Sequence, residues 1–335
     1  MHRRFVCSLA AAWLIALASA APAQRVAETR KVEIRAQTIE MFDPRDASRT
    51  RFGALAFRGG LVLTSSHAEF GGISSLRVGA DGARFLATSD KGNWLRGRIV
   101  YRGTAPIGIA DAEMAPILGA DGRPLNKRGW YDTESLAEDG GTVYVGIERV
   151  HEIVRFDYGR HGLRARGQPI PVPAGIKALP NNKSLECLVV PPRGVPHAGT
   201  LIAISERGVD SKGNILGWLI GGASPGAFTV KRTDEFEVSD CAVTPRGDLL
   251  ILERSFSWLR GVAMRIRRVP LARVAPGALL DGPELIVADM GYQIDNMEGL
   301  SVHTAADGAL VLTLISDDNF SPLQRTVLLQ FTLAE

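Results

Sequence analysis

One phrase recurs five times along the chain, and it limits the fold more than any bulk property does. In its clearest copy Asp132, Glu134, Ser135 and Leu136 lead to a turn at Gly140 and Gly141, then to an apolar run ending in Glu148 and Arg149. A second copy has Ser184, Glu186, Cys187 and Leu188, then a run ending in Glu206 and Arg207. A third has Ser239, Asp240 and Cys241, then Glu253 and Arg254; a fourth has Met297, Glu298, Gly299 and Leu300, then Asp317 and Asp318. A weaker copy opens at Ile73, Ser74, Ser75 and Leu76 and ends in Asp90 and Lys91. A short apolar strand, a glycine-bearing turn and a second apolar strand make a β-hairpin. The start of the first strand then lies beside the end of the second, so both acids of a copy share one end of the hairpin. The small residues at 75, 135, 187, 241 and 299 recur every 52 to 60 residues. An all-β unit repeated at that spacing predicts the blades of a propeller, with the acids ringing one rim of the central channel.

The chain begins with His2, Arg3 and Arg4, an apolar run, and small residues at Ala18, Ser19, Ala20 and Ala23. This is the pattern of a secretory signal peptide over 1–23, which leaves 24–335 as one exported domain. The pattern places the mature protein in the periplasm or outside the cell, with no later stretch apolar enough to span a bilayer. About 312 residues suit one propeller. Six blades are expected, five being the alternative. The strands foreseen between 31 and 66 are expected to join the C-terminal strand in the last blade, which removes open sheet edges.

Charge excludes one class of partner. Lys and Arg number 39 against 36 Asp and Glu, with no basic run interleaved with aromatics, so a nucleic-acid surface is not expected. The local excess at 260–273 reads as a solvated strand face. Cys187 and Cys241 both stand in the small-residue slot of the phrase. Equivalent slots on successive blades point the same way, so two buried free thiols are expected rather than a disulfide. With 36 Gly and 18 Pro punctuating nearly every segment, long helices are not expected.

With the repeat in view, the chain resembles the phytase-like domain described by the words "esterase-like activity of phytase". Phe70, Gly71, Gly72 and Ile73 with Ser89, Asp90, Lys91 and Gly92 look like its opening, and Asp132, Glu134 and Leu136 match its pattern. So do Ser205, Glu206, Arg207 and Gly208, and Asn296, Glu298 and Leu300 with Asp317, Asp318 and Asn319. The likeness spans about 53–331. It implies a secreted β-propeller and an activity on phosphate or carboxylic esters. Ser74, where other copies have Glu, departs from the acidic pattern.

The rim carries the candidate chemistry. Asp90, Glu134, Glu148, Glu186, Glu206, Asp240, Glu253, Glu298 and Asp317 are the candidate metal ligands. Clustered carboxylates repel, raise one another's pKa and are relieved by a hard cation, and calcium takes six to eight oxygens. Lys91, Arg149, Arg207, Arg254 and His67 are the candidate partners of a substrate anion. The sharp reading is a calcium-assisted phosphoester or ester hydrolase acting as a monomer on a small molecule. The other reading is a non-catalytic propeller that binds a ligand, glycan or protein, its Glu and Arg ring being a structural salt-bridge network. No Gly-x-Ser-x-Gly elbow, zinc spacing, phosphate loop or dinucleotide fingerprint is present.

Overall fold

The computed structural model describes residues 28–181 and 183–333. The signal-like segment 1–23 lies outside them. Among the described residues the α-helices are single turns, Tyr158–His161 and Ala174–Lys177. None is long and apolar enough to cross a membrane. The rest is five sheets of largely antiparallel strands, the blades of a β-propeller.

From the axis outward, the first blade runs Ile73–Val78, Arg84–Ser89, Asn93–Arg102 and Ala105–Pro116, with Arg30–Lys31 at its edge. The second runs Thr133–Asp139, Thr142–Ile147, Glu152–Asp157 and Arg166–Ile170; the third runs Leu185–Val189, Leu201–Val209, Ile215–Ile220 and Gly226–Val230. Each of these two gains a short parallel edge, Leu118–Gly119 and Leu279–Leu280 respectively. The fourth blade is Glu237–Val243, Asp248–Ser257, Gly261–Pro270 and Glu284–Asp289. The fifth is Asn296–Thr304, Leu310–Asp317, Thr326–Leu333, Leu55–Thr64 and Arg35–Ile39.

The blade count is therefore five, not six. The N-terminal strands form no sheet of their own, because Leu55–Thr64 pairs with Thr326–Leu333 along its length. The five inner strands touch in succession and the fifth returns to the first, closing the ring. Five apolar clusters fill the five gaps between neighbouring blades. One joins Leu250 and Leu252 to Leu312 and Leu314, and another joins Leu86 and Trp94 to Val143 and Val145. Each buried Leu or Ile of these gaps contributes on the order of 1.5–3 kcal/mol, so the gaps, not the edges, hold the blades in place.

Every inner strand carries a β-bulge near its start. The pairing steps from Ile73 to Ser75, Thr133 to Ser135, Leu185 to Cys187, Val238 to Asp240 and Met297 to Gly299. The extra residues are Ser74, Glu134, Glu186, Ser239 and Glu298. A bulge sets two residues against one and re-aims the extra side chain. It is the local device that turns one residue of every blade to the rim.

The bulges also correct the alignment of the fourth copy by one residue. Asp240, not Cys241, holds the slot of Ser75, Ser135, Cys187 and Gly299, and Cys241 matches Leu76, Leu136, Leu188 and Leu300. Successive residues of a strand face opposite sides. Cys187 thus faces forward to the fourth blade while Cys241 faces back to the third. They meet as a disulfide with Cα atoms 5.2 Å apart, not as free thiols. The segment 260–273 is corrected too: Arg265 and Arg267 are 1% and 2% exposed, so this is no solvated face.

Candidate functional site

The bulge residues and the ends of the second strands converge. Carboxylate oxygens of Asp132, Glu134 and Glu148 lie within 4.8 Å of one another, and so do those of Glu148, Glu186 and Glu206. The two trios share Glu148 and bridge the second and third blades. Glu298 and Asp317 of the fifth blade and Asp90 of the first flank them. Glu134, Glu148, Glu186, Glu206, Glu298 and Asp317 are all buried. Few donors reach these oxygens. Ser184 N–H donates to Glu148 Oε1 at 2.9 Å, and Asn296 Nδ2 donates to Glu298 Oε1 at 2.8 Å. Glu186 Oε2 and Asp90 Oδ1 are buried without a hydrogen-bond partner.

Burial of so much like charge shows in proton affinity. Burial first, then Glu186, Asp90, Glu298 and Glu148, holds Glu134 well above the usual carboxylate range. Glu186 and Asp317 are pushed up likewise, again by burial first and by neighbouring acids second. Asp90 is pushed up to about 8 by burial, Glu298 and Asp132. Glu148 reaches about 7, burial outweighing the Ser184 N–H and the attraction of Lys183. The group can relieve this strain by taking up protons or by taking up a cation.

The fourth blade breaks the ring. The position held by Asp90, Glu148, Glu206 and Asp317 is filled there by Arg254, and the bulge residue is Ser239. Arg254 Nη1 donates to Asn296 Oδ1 at 2.8 Å, and Nη2 lies 3.2 Å from Glu206 Oε1 and 3.4 Å from Glu298 Oε1. Arg254 Nε is buried without a partner.

Glu253, expected at the rim, points to the opposite side of its strand. It accepts from Arg265 Nε and Arg267 Nε, each at 2.7 Å, and all three side chains are buried. Asp240, also expected there, sits at the axis, where Arg77 Nη1 and Nη2 reach its carboxylate at 2.8 and 3.0 Å. The same guanidinium donates to the carbonyls of Leu76, Leu188, Cys241 and Leu300, bolting four inner strands together across the channel. Both acids are committed to arginines and cannot serve as free ligands.

The remaining candidates divide. Arg149 Nε pairs with Asp132 Oδ2 at 3.1 Å and its guanidinium lies over the Tyr131 ring. Lys91 lies over the Phe320 ring, 3.4 Å from its centroid. Arg207 pairs with Glu237, beside Glu206 of the second trio. His67 lines a neighbouring cavity, where its Nδ1 accepts from Glu69 N–H at 3.3 Å. Sequence reasoning left out Asp132 as a ligand, although it opens the clearest copy of the phrase. It also left out Asn296 and Arg77, whose partners are distant in sequence and leave no local signal. A larger cavity, about 750 Å³, opens beside Arg77 at the far end of the first blade. Its arginines are already paired, Arg96 with Glu113 at 2.6 Å and Arg98 with Asp111 at 3.2 Å.

Residues 68–320 match the family described as "Phytase-like: Esterase-like activity of phytase". No functionally curated protein matches the chain. Among solved structures, the glutaminyl cyclase of Myxococcus xanthus is 12% identical with a TM-score of 0.41, over 80% of this chain and 94% of that one. The PQQ-bound aldose sugar dehydrogenase of Streptomyces coelicolor is 13% identical with a TM-score of 0.40, over 82% of this chain and 97% of that one. A nidogen/laminin complex is 12% identical with a TM-score of 0.40, over 79% and 87%. At these values the structural likeness carries no argument about chemistry.

Proposed function

The chain belongs to the phytase-like family, and from that premise we propose that it is an exported hydrolase of phosphate or related esters. It works with a divalent cation, calcium in the first place, at the carboxylate rim. The observation that carries this reading is the pair of interlocked trios sharing Glu148, with Glu186 Oε2 buried beside them and unpartnered. Such an oxygen-only donor set suits a hard cation. A cation held there supplies positive charge beside a phosphoryl or carbonyl oxygen.

The chain's own residues take the remaining roles. Asp132, Glu134, Glu148, Glu186 and Glu206 are the holding set, with Glu298 and Asp317 behind them. Asp90, its proton affinity raised by burial, Glu298 and Asp132 and its Oδ1 free of partners, is the group proposed to give a proton to a leaving group. Arg254, which contacts Glu206, and Lys91, which lines the cavity on Asp90 and Asp132, are the cations placed to meet a substrate anion. The Cys187–Cys241 disulfide supports an oxidising compartment and hence export.

A second reading, a non-catalytic propeller that binds its ligand on this rim, draws on Arg254, whose contacts to Glu206 and Glu298 make one corner of the ring structural. Phosphatase and esterase assays of the mature protein, with calcium and with chelator, separate the two. Turnover that needs calcium and falls at least tenfold in Asp90→Asn supports the hydrolase. Calcium binding by calorimetry with no turnover of either substrate class leaves the binder.

A further inference from the structure

Where the first and second blades meet at the rim, a cavity of about 440 Å³ opens directly on Asp90 and Asp132. These two are joined through the backbone, Asp132 N–H donating to the Asp90 carbonyl at 2.7 Å, so the cavity and the carboxylate trios share a wall. Its other walls are mixed: Glu69, whose Oε2 accepts from Asn93 Nδ2 at 3.2 Å, and Asn126 stand beside two lysines and two aromatic rings. Lys91 and Lys127 line it, together with Tyr131 and Phe320. Lys91 is held in place by the Phe320 ring beneath its ammonium and by its own carbonyl, which accepts from Asn126 Nδ2 at 2.9 Å. That bond fixes Asn126 with its Oδ1 buried and unpartnered. Lys127 is exposed and forms no ion pair among the described residues.

An acidic rim repels an anion almost everywhere. Here two lysines, neither of them paired with a carboxylate among the described residues, stand beside Asp90 and Asp132 of the rim. The volume falls at the small end of ordinary ligand sites. The aromatic faces offer no bare apolar wall, since Lys91 covers Phe320 and Arg149 covers Tyr131. A large or greasy organic group finds little to bury against, and the polar lining around Asn126 suits a hydroxylated one.

We propose that this cleft between the first and second blades is the substrate pocket, taking a small, polar phosphomonoester with its phosphoryl group between Lys91, Lys127 and the carboxylate set. The proposal rests on the hydrolase reading for the reaction but not for the binding. Inorganic phosphate is therefore the probe, titrated calorimetrically into the mature chain at saturating calcium. Lys91→Gln and Lys127→Gln should each weaken phosphate at least tenfold and leave calcium affinity within about twofold; Lys231→Gln, just beyond the outer strand of the third blade and paired with Asp281, should change neither. Lys127 makes no ion pair, so its variant keeps the fold, and a thermal scan checks both. Unchanged phosphate affinity in the double variant overturns the pocket, as does a wild type that binds calcium but not phosphate. Phosphate binding lost in the variants without any wild-type turnover keeps the pocket and removes the hydrolase. Turnover with unchanged KM in the double variant does the reverse.

Discussion

Two acids that the repeat assigns alike have opposite fates, and their neighbours decide it. Glu253 is fully buried between two guanidiniums, so its charge is satisfied. Glu186 is buried among carboxylates, with burial, Glu206 and Glu298 all pushing its proton affinity up and Arg254 the chief pull the other way. Removing the first charge strands Arg265 and Arg267 in a site that water does not reach. Glu253→Gln should therefore cost about 3–5 kcal/mol in denaturant unfolding and leave calcium binding unchanged. A loss below about 1 kcal/mol would show that the arginines find other partners, Glu284 and Asp281 being the nearest. Asp240→Asn tests the same physics at the axis, where Arg77 would lose its only carboxylate among the described residues but keep four carbonyls. Its cost should be smaller than that of Glu253→Gln for that reason.

At the scale of the strand, the phrase made the hairpins, their common end and the five-fold recurrence legible before any coordinates. What it hid was register. A bulge inserts one residue without changing composition, and in the fourth copy Ser239, Asp240 and Cys241 can be aligned with the other copies in two ways. Taking Asp240 as the rim acid shifts the blade's reading by one residue: Cys241 falls into the small slot, and Glu253 takes the acid position that Arg254 in fact holds. The true register follows from pairing, with Val238 opposite Glu253 and Asp240 opposite Leu252. The disulfide is its consequence. It closes a loop with a sequence separation of 54 residues and ties the inner strands of the third and fourth blades. Cys241→Ser should lower stability by roughly 2–5 kcal/mol in oxidising buffer and by nothing further under reductant. Equal unfolding midpoints for wild type with and without reductant would mean that the bond is not formed in solution. The blade count differs for another reason. The N-terminal strands are expected beside the C-terminal one, and with Leu55–Thr64 paired to Thr326–Leu333 no strands among the described residues are left to build a sixth sheet.

Over the whole molecule, the fold stores like charge at one rim, and pH should expose it. Asp90 and Glu148 titrate at about 8 and about 7 in the folded protein, and Glu134, Glu186, Glu206, Glu298 and Asp317 are all raised as well. Unfolded, these groups return to roughly 4. Between about pH 4 and pH 8 the folded state thus binds more protons than the unfolded one. Stability then falls as pH rises through that window, opposite to the behaviour of a salt-bridged carboxylate whose pKa is depressed. In chelator the unfolding temperature should decline steadily from about pH 5 to pH 8. Calcium, bound by the deprotonated rim and not by the unfolded chain, should oppose the decline most at the high end, by an amount set by its concentration over its dissociation constant. Glu186→Gln removes one of the charges responsible. It should flatten the decline in chelator, raise the metal-free unfolding temperature at pH 8, and shrink the calcium response. A ring held together by ion pairs instead predicts the reverse on each count: a wild type that gains stability up to neutral pH, no response to calcium, and a Glu186→Gln variant less stable than wild type at every pH above 5. The two curves, with calcium and with chelator, therefore decide whether the five blades gather their acids to lock one another or to hold something else.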